Sequence, residues 1–425
     1  MQSSLTLRDR NWAWFLVPLN ASSTGMSTII PIYILALGGH VREVAIAAFL
    51  SNLAMTLGAV FWGRLIDALH WRSTIIVICS AAVAVTAASM YIVSSIPILL
   101  VLSALIGFFS VGPAPVTNLL VMEKSRKEEW LKTFSWTSLT SAAGLVIAMA
   151  AGYFWLMQYD IQSYAAGCSV IAISSVVLTV IFVKDPPSRF ERAALVRWPS
   201  LIYRLRLVPV MFLKPMSDLS IARLRRSASR KEFLLFAGTG LFFLSGSLMF
   251  TAYIPFLKDS GITDSEVFLA YTILHLSKIF FLPFNHRLVG RGGEEAYGRL
   301  AYIPRLSGIT LAVGAALLLA GNPMSILLIT LCAFVATEIG YSIWSTTTSS
   351  SLLRIIPTGH EGSLLGINSA FVGAGLLIGS LAAGEVSAAF GYAATFSVAI
   401  VIALASFLIM SKFFKKTVVV ARATA

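Results

Sequence analysis

Apolar runs of twenty or more residues recur almost end to end along this chain, and they constrain its fold more than any other feature. About twenty residues of α-helix cross a bilayer core of roughly 30 Å. In lipid the backbone must satisfy its own N–H and C=O groups, which a helix does within one segment. Twelve spans are expected, at residues 12–37, 43–62, 73–94, 96–121, 134–157, 164–183, 233–257, 265–286, 300–320, 323–350, 363–385 and 391–411. Hydrophobic residues make up 57% of the 425 and charged residues 12%, with a mean hydropathy of +0.83. A water-soluble core does not use that much apolar sequence. The expected class is an all-α integral membrane protein.

The spans also repeat. Glu43–Val44 through Asn52 to Arg64–Leu65 lies without a gap on Glu266–Val267 through His275 to Arg287–Leu288, 223 residues further on. Ile98–Val101 up to Gly112 echoes Ile326–Ile329 up to Gly340, and Gly144–Ile147 echoes Gly375–Ile378. The chain therefore reads as two related six-helix bundles, residues 1–183 and 233–425, about a pseudo-two-fold axis along the membrane normal. That axis sets Asn52 against His275 and Ser110 against Glu338, with spans three, six, nine and twelve outermost. Small residues inside the spans, among them Gly58, Gly107, Gly152, Gly373 and Gly379, permit close helix contacts. Pro31 and Pro255 form a further related pair, expected to bend or end the first and seventh helices.

Between the halves, residues 184–232 are the one long polar stretch, with twelve Lys or Arg against four Asp or Glu. Pro186-Pro187 stops the sixth helix. The mixed apolar and basic segments 201–207 and 221–226 suit helices lying on a membrane surface and held by anionic lipid, and a plain basic linker fits as well. Of the connections on the side opposite this linker, the only basic residues are Arg42 and Lys258. The bias places the linker and both termini in the cytoplasm of a multi-pass plasma-membrane protein. The net charge of +13 is then inner-leaflet charge, and nucleic acid is not an expected partner. The first run leads directly into a second, as an anchor does and a cleaved leader does not. Cys79, Cys168 and Cys332 lie apart within spans and read as packing residues.

The connection after the second span, Gly63-Arg64-Leu65-Ile66-Asp67-Ala68-Leu69-His70-Trp71-Arg72, resembles the signature Gly-x-x-x-Asp-(basic)-x-Gly-x-(basic)-(basic) of the major facilitator superfamily. Gly63, Asp67 and Arg72 fit it, whereas Ala68, His70 and Ser73 depart from it. The resemblance covers essentially the whole chain. It implies two bundles that alternate access to a midplane site, with Asp67 near the positive N-terminal end of the eleventh helix around Gly362-Ser363, latching the outward-facing state. The matching turn in the second half, His286 to Arg291, lacks the Asp. Two patterns of the drug-proton antiporters of this superfamily, an Arg in span four and a Gly-Pro pair in span five, are missing, as are the repeated arginines of the sugar porters.

Charge inside a span is costly, about 2.5–3.5 kcal/mol at a helix centre, so the few charged residues carry information. Glu338 lies mid-way along span ten, with Tyr341 and Ser345 on the same stripe. Lys278 lies in span eight, with His275 and Tyr271 on its face. The resemblance puts spans eight and ten beside the central cavity, so Glu338 is expected to meet Lys278 or His275 there and to carry a coupling proton. A structural ion pair is the alternative for Glu338, and a snorkelling stem for Lys278. Arg305, in the first turns of span nine, reads as an anchor at the membrane boundary. Asn52, Asn20, Ser23, Asn118, Trp136, Tyr253, Trp344 and Asn368 are further polar or aromatic candidates for the cavity wall.

No hydrolase triad, phosphate loop or metal-ligand spacing is present, so neither an enzyme nor a cofactor is expected, and no segment could hold ATP for a pump. The reading is a monomeric secondary transporter moving a small polar or amphipathic solute, coupled to H⁺ through Glu338. The alternatives are a uniporter, or a transporter-like receptor or lipid-handling protein that uses residues 184–232.

Overall fold

In the computed structural model, residues 7–69, 72–125, 129–183, 230–318, 322–355 and 361–423 are described, and every regular element among them is helical. A 3-10 turn, Leu7–Phe15, leads into α1 (Leu16–Ala36) and α2 (Val41–Leu69). Next come α3 (Arg72–Ser89), α4 (Ile96–Ser110), α5 (Pro113–Lys124), α6 (Trp130–Trp155) and α7 (Ile161–Phe182). The second half holds α8 (Arg230–Asp259), α9 (Asp264–Gly292), α10 (Glu294–Leu300), α11 (Tyr302–Leu318), α12 (Pro323–Ile355) and α13 (Glu361–Ala423). Among the described residues nine helical stretches are long and apolar enough to cross a membrane. The last of these is two crossings, because α13 breaks at Gly391, where φ is 82°. Its first part runs parallel to α8, with Gly375 at Gly240 and Gly379 at Leu244. Its second part runs back along α8, with Ser245 bonded to Ala399 O and Ser406 to Gly238 O.

The backbone bonds at the first helix junction of each half match one another. At the end of α1, Gly38 has φ 83°, Gly38 N–H donates to Leu35 O and Gly39 N–H to Ile34 O. At the end of α8, Gly261 has φ 82°, with Gly261 N–H to Lys258 O and Ile262 N–H to Leu257 O. Both form the left-handed glycine cap that satisfies the last carbonyls of a helix. The following helices also start alike. His40 N–H donates to Glu43 Oε2 at 2.8 Å, and Thr263 N–H to Glu266 Oε2 at 2.9 Å. A glutamate in the first turn thus satisfies an N–H that the helix leaves unpaired. α7 starts on Asp160, whose carboxylate accepts from Ser163 N–H at 3.1 Å. The Ser163 hydroxyl and N–H hold that carboxyl below its ordinary range.

Packing repeats too. A Cβ on Gly144 would lie 2.4 Å from Val17 O and 3.2 Å from Ala21 N, and one on Gly375 2.3 Å from Gly240 O and 3.1 Å from Leu244 N. Only glycine lets these helices approach so closely. Ser175 Oγ donates to Phe15 O and Ser406 Oγ to Gly238 O. Each serine has one proton, so each accepts its other bond, from Ser80 Oγ at 3.2 Å and from Tyr302 OH at 2.7 Å.

Three apolar cores follow from this arrangement. One occupies the end of the molecule away from the 184–229 linker and is shared by both halves: Ile29, Ile30, Met149 and Tyr164 join Leu248, Phe268, Ala270 and Phe396. The other two lie towards the linker end, and each belongs to one half. The first contains Trp12, Phe15, Trp62 and Val116, the second Phe236, Phe242, Tyr302 and Phe413. Among the described residues, the shared core lies at the far end, and each half has its own core towards the other end. Gly152 of α6 seats the Phe268 ring, which stands 5.0 Å from Tyr164 at 74°. Arg42 and Glu385 add an ion pair at 3.2 Å, with side chains 55% and 69% exposed, which contributes only about 0–1 kcal/mol. Lys258 pairs with Asp264, so both basic residues of the far end are matched.

Some expectations are corrected. α1 and α8 continue through Pro31 and Pro255, so neither proline ends its helix. The fourth span divides into α4 and α5, with Pro113 opening the new helix. The ninth span starts as α10 and resumes as α11 beyond Ala301. Cys79 and Cys168 are buried, whereas Cys332 is exposed on α12. The surface helices expected between 201 and 226 lie outside the described residues.

Candidate functional site: a cavity between the halves

Where the shared core ends, a cavity of about 450 Å³ opens between the two halves. α1 and α2 contribute Ser27, Thr28 and Asn52, and α8 contributes Phe242, Phe243, Gly246, Ser247 and Phe250. Tyr271 and His275 enter from α9, Arg305 from α11, Glu338 and Tyr341 from α12 and Leu376 from α13. The expected His275, Tyr271, Glu338, Tyr341 and Asn52 are therefore brought together. Asn52 and His275, one from each half, both reach the wall as the repeat requires. Ser110, the counterpart of Glu338, does not, and its hydroxyl is bonded to Gly107 O.

Glu338 is 8% exposed, and its Oε1 has no hydrogen-bond partner. Lys278 and Arg305 both act on it electrostatically, yet no ion pair closes on it among the described residues. Both cations sit on aromatic rings instead. Lys278 Nζ stands 5.4 Å over the Tyr341 ring and Arg305 Cζ 4.7 Å over the Phe242 ring. Phe242 is held flat by Trp344, stacked at 3.9 Å and 2°. Lys278 is half-buried on the face expected for it.

Arg305 is the main correction. It is 3% exposed and reaches the cavity, although it belongs to a span expected to lie outermost and to a position read as an anchor. Two glycines make its path. A Cβ on Gly340 would lie 2.9 Å from Arg305 Cβ, and one on Gly246 2.7 Å from Arg305 Nη2. A glycine in a span carries no mark of the side chain it makes room for, so the sequence does not single out Arg305. The aromatic wall of α8 (Phe242, Phe243 and Phe250) was also missed, because apolar residues in a span have no mark of the cavity face.

The remaining candidates lie elsewhere. Tyr253 is fully buried in the shared core, its hydroxyl on Thr330 Oγ1 at 3.3 Å and its ring 4.7 Å from Phe334. Trp344 supports the wall from behind. Asn20 donates to Leu16 O, Ser23 to Leu19 O and Ser345 to Ser342 O, each within its own helix. Asn118 is exposed on α5. Trp136 meets Trp14 edge-on at 5.8 Å, and Asn368 is half-buried on α13 with Oδ1 unpartnered. Of the signature residues, Gly63 faces open space and Arg72 is buried and paired with Glu123. The side chain of Asp67 lies outside the described residues.

The cavity thus lies between two repeat-related halves that share a core at one end. The chain resembles a solved mutant of the nucleoside transporter NupG at 12% identity, over 96% of this chain and 99% of that one, with a TM-score of 0.68. It resembles a D-xylose-proton symporter at 13% identity, over 95% and 97%, with a TM-score of 0.67. A bacterial homologue of the iron transporter ferroportin in an inward-facing state aligns at 16% identity, over 97% and 100%, with a TM-score of 0.66. No curated protein sequence matches the chain. The family model of the Major Facilitator Superfamily matches residues 14–368, and the chain belongs to that superfamily of transporters.

Proposed function

We propose that the protein is a proton-coupled secondary transporter of a small polar or amphipathic solute, with Glu338 as the group that carries the proton. One observation supports this above the others: the carboxylate of Glu338 is buried at a cavity between the halves, close to two cations and paired with neither. An acid placed there gains or loses a proton according to what occupies the cavity. The basic linker puts its end of the molecule in the cytoplasm, so the conformation described is open inward and closed outward. In this reading the bundles are residues 1–183 and 233–425, the protein acts as a monomer in the plasma membrane, and residues 184–232 rest on anionic lipid.

The signature Asp fits this scheme. α2 and α13 run antiparallel, with Ala45 at Gly384 and Thr56 at Gly373. In this reading Asp67 latches the linker end to the start of α13 when that end closes, because a helix N-terminus favours a carboxylate.

Purified protein in liposomes, screened for uptake of a solute panel with and without an inward pH gradient, tests the reading. The expected result is accumulation driven by the gradient in the wild type, with Glu338→Gln retaining only exchange of solute down its own gradient. Uptake indifferent to the gradient would make the protein a uniporter. No flux of any compound, together with lipid transfer, would make it a lipid-handling protein.

A further inference from the structure

We propose that the solute is a small organic anion with a flat apolar body, its anionic group held between Arg305 and Lys278. This deepens the proposed function and rests on it for the proton, though not for the anion. Among the described residues, the cavity and its rim carry two cations, Arg305 and Lys278, against one carboxylate, Glu338. The first half contributes only neutral groups, Ser27, Thr28 and Asn52. A cationic solute would meet this excess of like charge, whereas an anion supplies the missing counter-charge.

Arg305 is the strongest single feature. Its guanidinium is almost wholly withdrawn from solvent, and its Nε–H has no acceptor. A buried cation that closes no ion pair is unfavourable, and here two glycines clear the way for it to reach the cavity. Its planar fork of donors matches a carboxylate in two parallel bonds, as a lysine ammonium cannot. The walls favour a flat body: Phe242, Phe243, Phe250, Tyr271 and Tyr341 all face the cavity. Phe242 is held in one orientation by its stack on Trp344.

The proton follows from the same geometry. Glu338 faces Lys278 and His275 of α9, Arg305 of α11 and Tyr341 of its own helix. α8 presents Phe242, Phe243 and Gly246, and among the described residues nothing from α1, α2 or α13 in the wall ionises. While ionised, Glu338 competes with a bound anion for both cations. When it takes up a proton that competition ends and the cations are free for the solute. One proton and one monoanion then enter together, and no net charge is moved.

The test measures binding of 2-naphthoate to the solubilised full chain, with 2-naphthamide and 2-naphthylmethylamine as neutral and cationic controls. The expected result is saturable binding of 2-naphthoate that strengthens as pH falls, with neither control competing. Arg305→Lys should weaken it by about tenfold, the equivalent of one charge-assisted contact, and Lys278→Met by a similar factor. Glu338→Gln should bind tightly at every pH. Should Arg305→Lys elute aggregated, Lys278→Met decides alone. Absence of naphthoate binding, equal binding of either control, or naphthoate binding unaffected by both substitutions overturns the anion site. Binding that needs Arg305 but keeps its pH dependence in Glu338→Gln leaves the anion site standing and overturns Glu338 as the proton carrier.

Discussion

A single carboxylate in an apolar helix has two possible roles, and a pair of substitutions separates them. If Glu338 is a proton carrier, Glu338→Gln should leave the folded protein intact, because the glutamine keeps the shape and Oε1 has no partner to lose. If it is instead the counter-charge of Lys278, Glu338→Gln strands that half-buried cation at a cost below the roughly 3–5 kcal/mol of a fully buried pair, and Lys278→Met should restore the stability. Thermal unfolding in detergent of the two variants and their combination reads this directly; the expected result is little change in Glu338→Gln and no rescue by Lys278→Met. At this scale the sequence was legible where charge stood in the middle of a run, as with Glu338 and Lys278. It was not legible for Arg305, whose position near a helix start looks the same whether the side chain points to the cavity or to the headgroups. Nor was it for Asn20 or Tyr253. A polar residue reaches a cavity only if its helix is turned that way, and packing sets that rotation.

At the scale of helices, the matched glycines give a graded prediction. Gly144→Ala and Gly375→Ala would each drive a methyl group onto a neighbouring backbone carbonyl, which neither helix can relieve without moving. Each should destabilise by about 1–3 kcal/mol or more. Gly63→Ala, at a signature position with open space around it, should be neutral or stabilising by up to about 1 kcal/mol. Melting temperatures of the three purified variants check this, and equal effects at all three would deny that the repeat resides in helix contacts. The repeat itself was legible because it rests on spacing. The glycine caps, the first-turn glutamates and Gly144 with Gly375 all keep their offsets in both the sequence and the structure. The serine bridges at Ser175 and Ser406 were hidden, since a serine in a span has many possible acceptors and only the fold selects one. The breaks within the fourth and ninth spans were missed because apolar character continues across them.

For the whole molecule, the division of the core decides which side opens. The far end is sealed by residues of both halves, and Gly152 sits where the Phe268 ring needs room. Gly152→Leu should wedge that seal apart. In a Cys332→Ala background, Asn52→Cys is expected to react with an impermeant maleimide from the linker side alone, and from the far side as well once Gly152→Leu is added. An unchanged labelling pattern would mean that the seal does not depend on this contact. The shared core has a further consequence, for the membrane around it. A pathway that ends blind against close-packed rings such as Phe268 and Phe334 has no continuous file of water along which ions or protons could run. A membrane carrying many copies of this protein is then expected to hold an imposed voltage, which a potential-sensitive dye in liposomes reads.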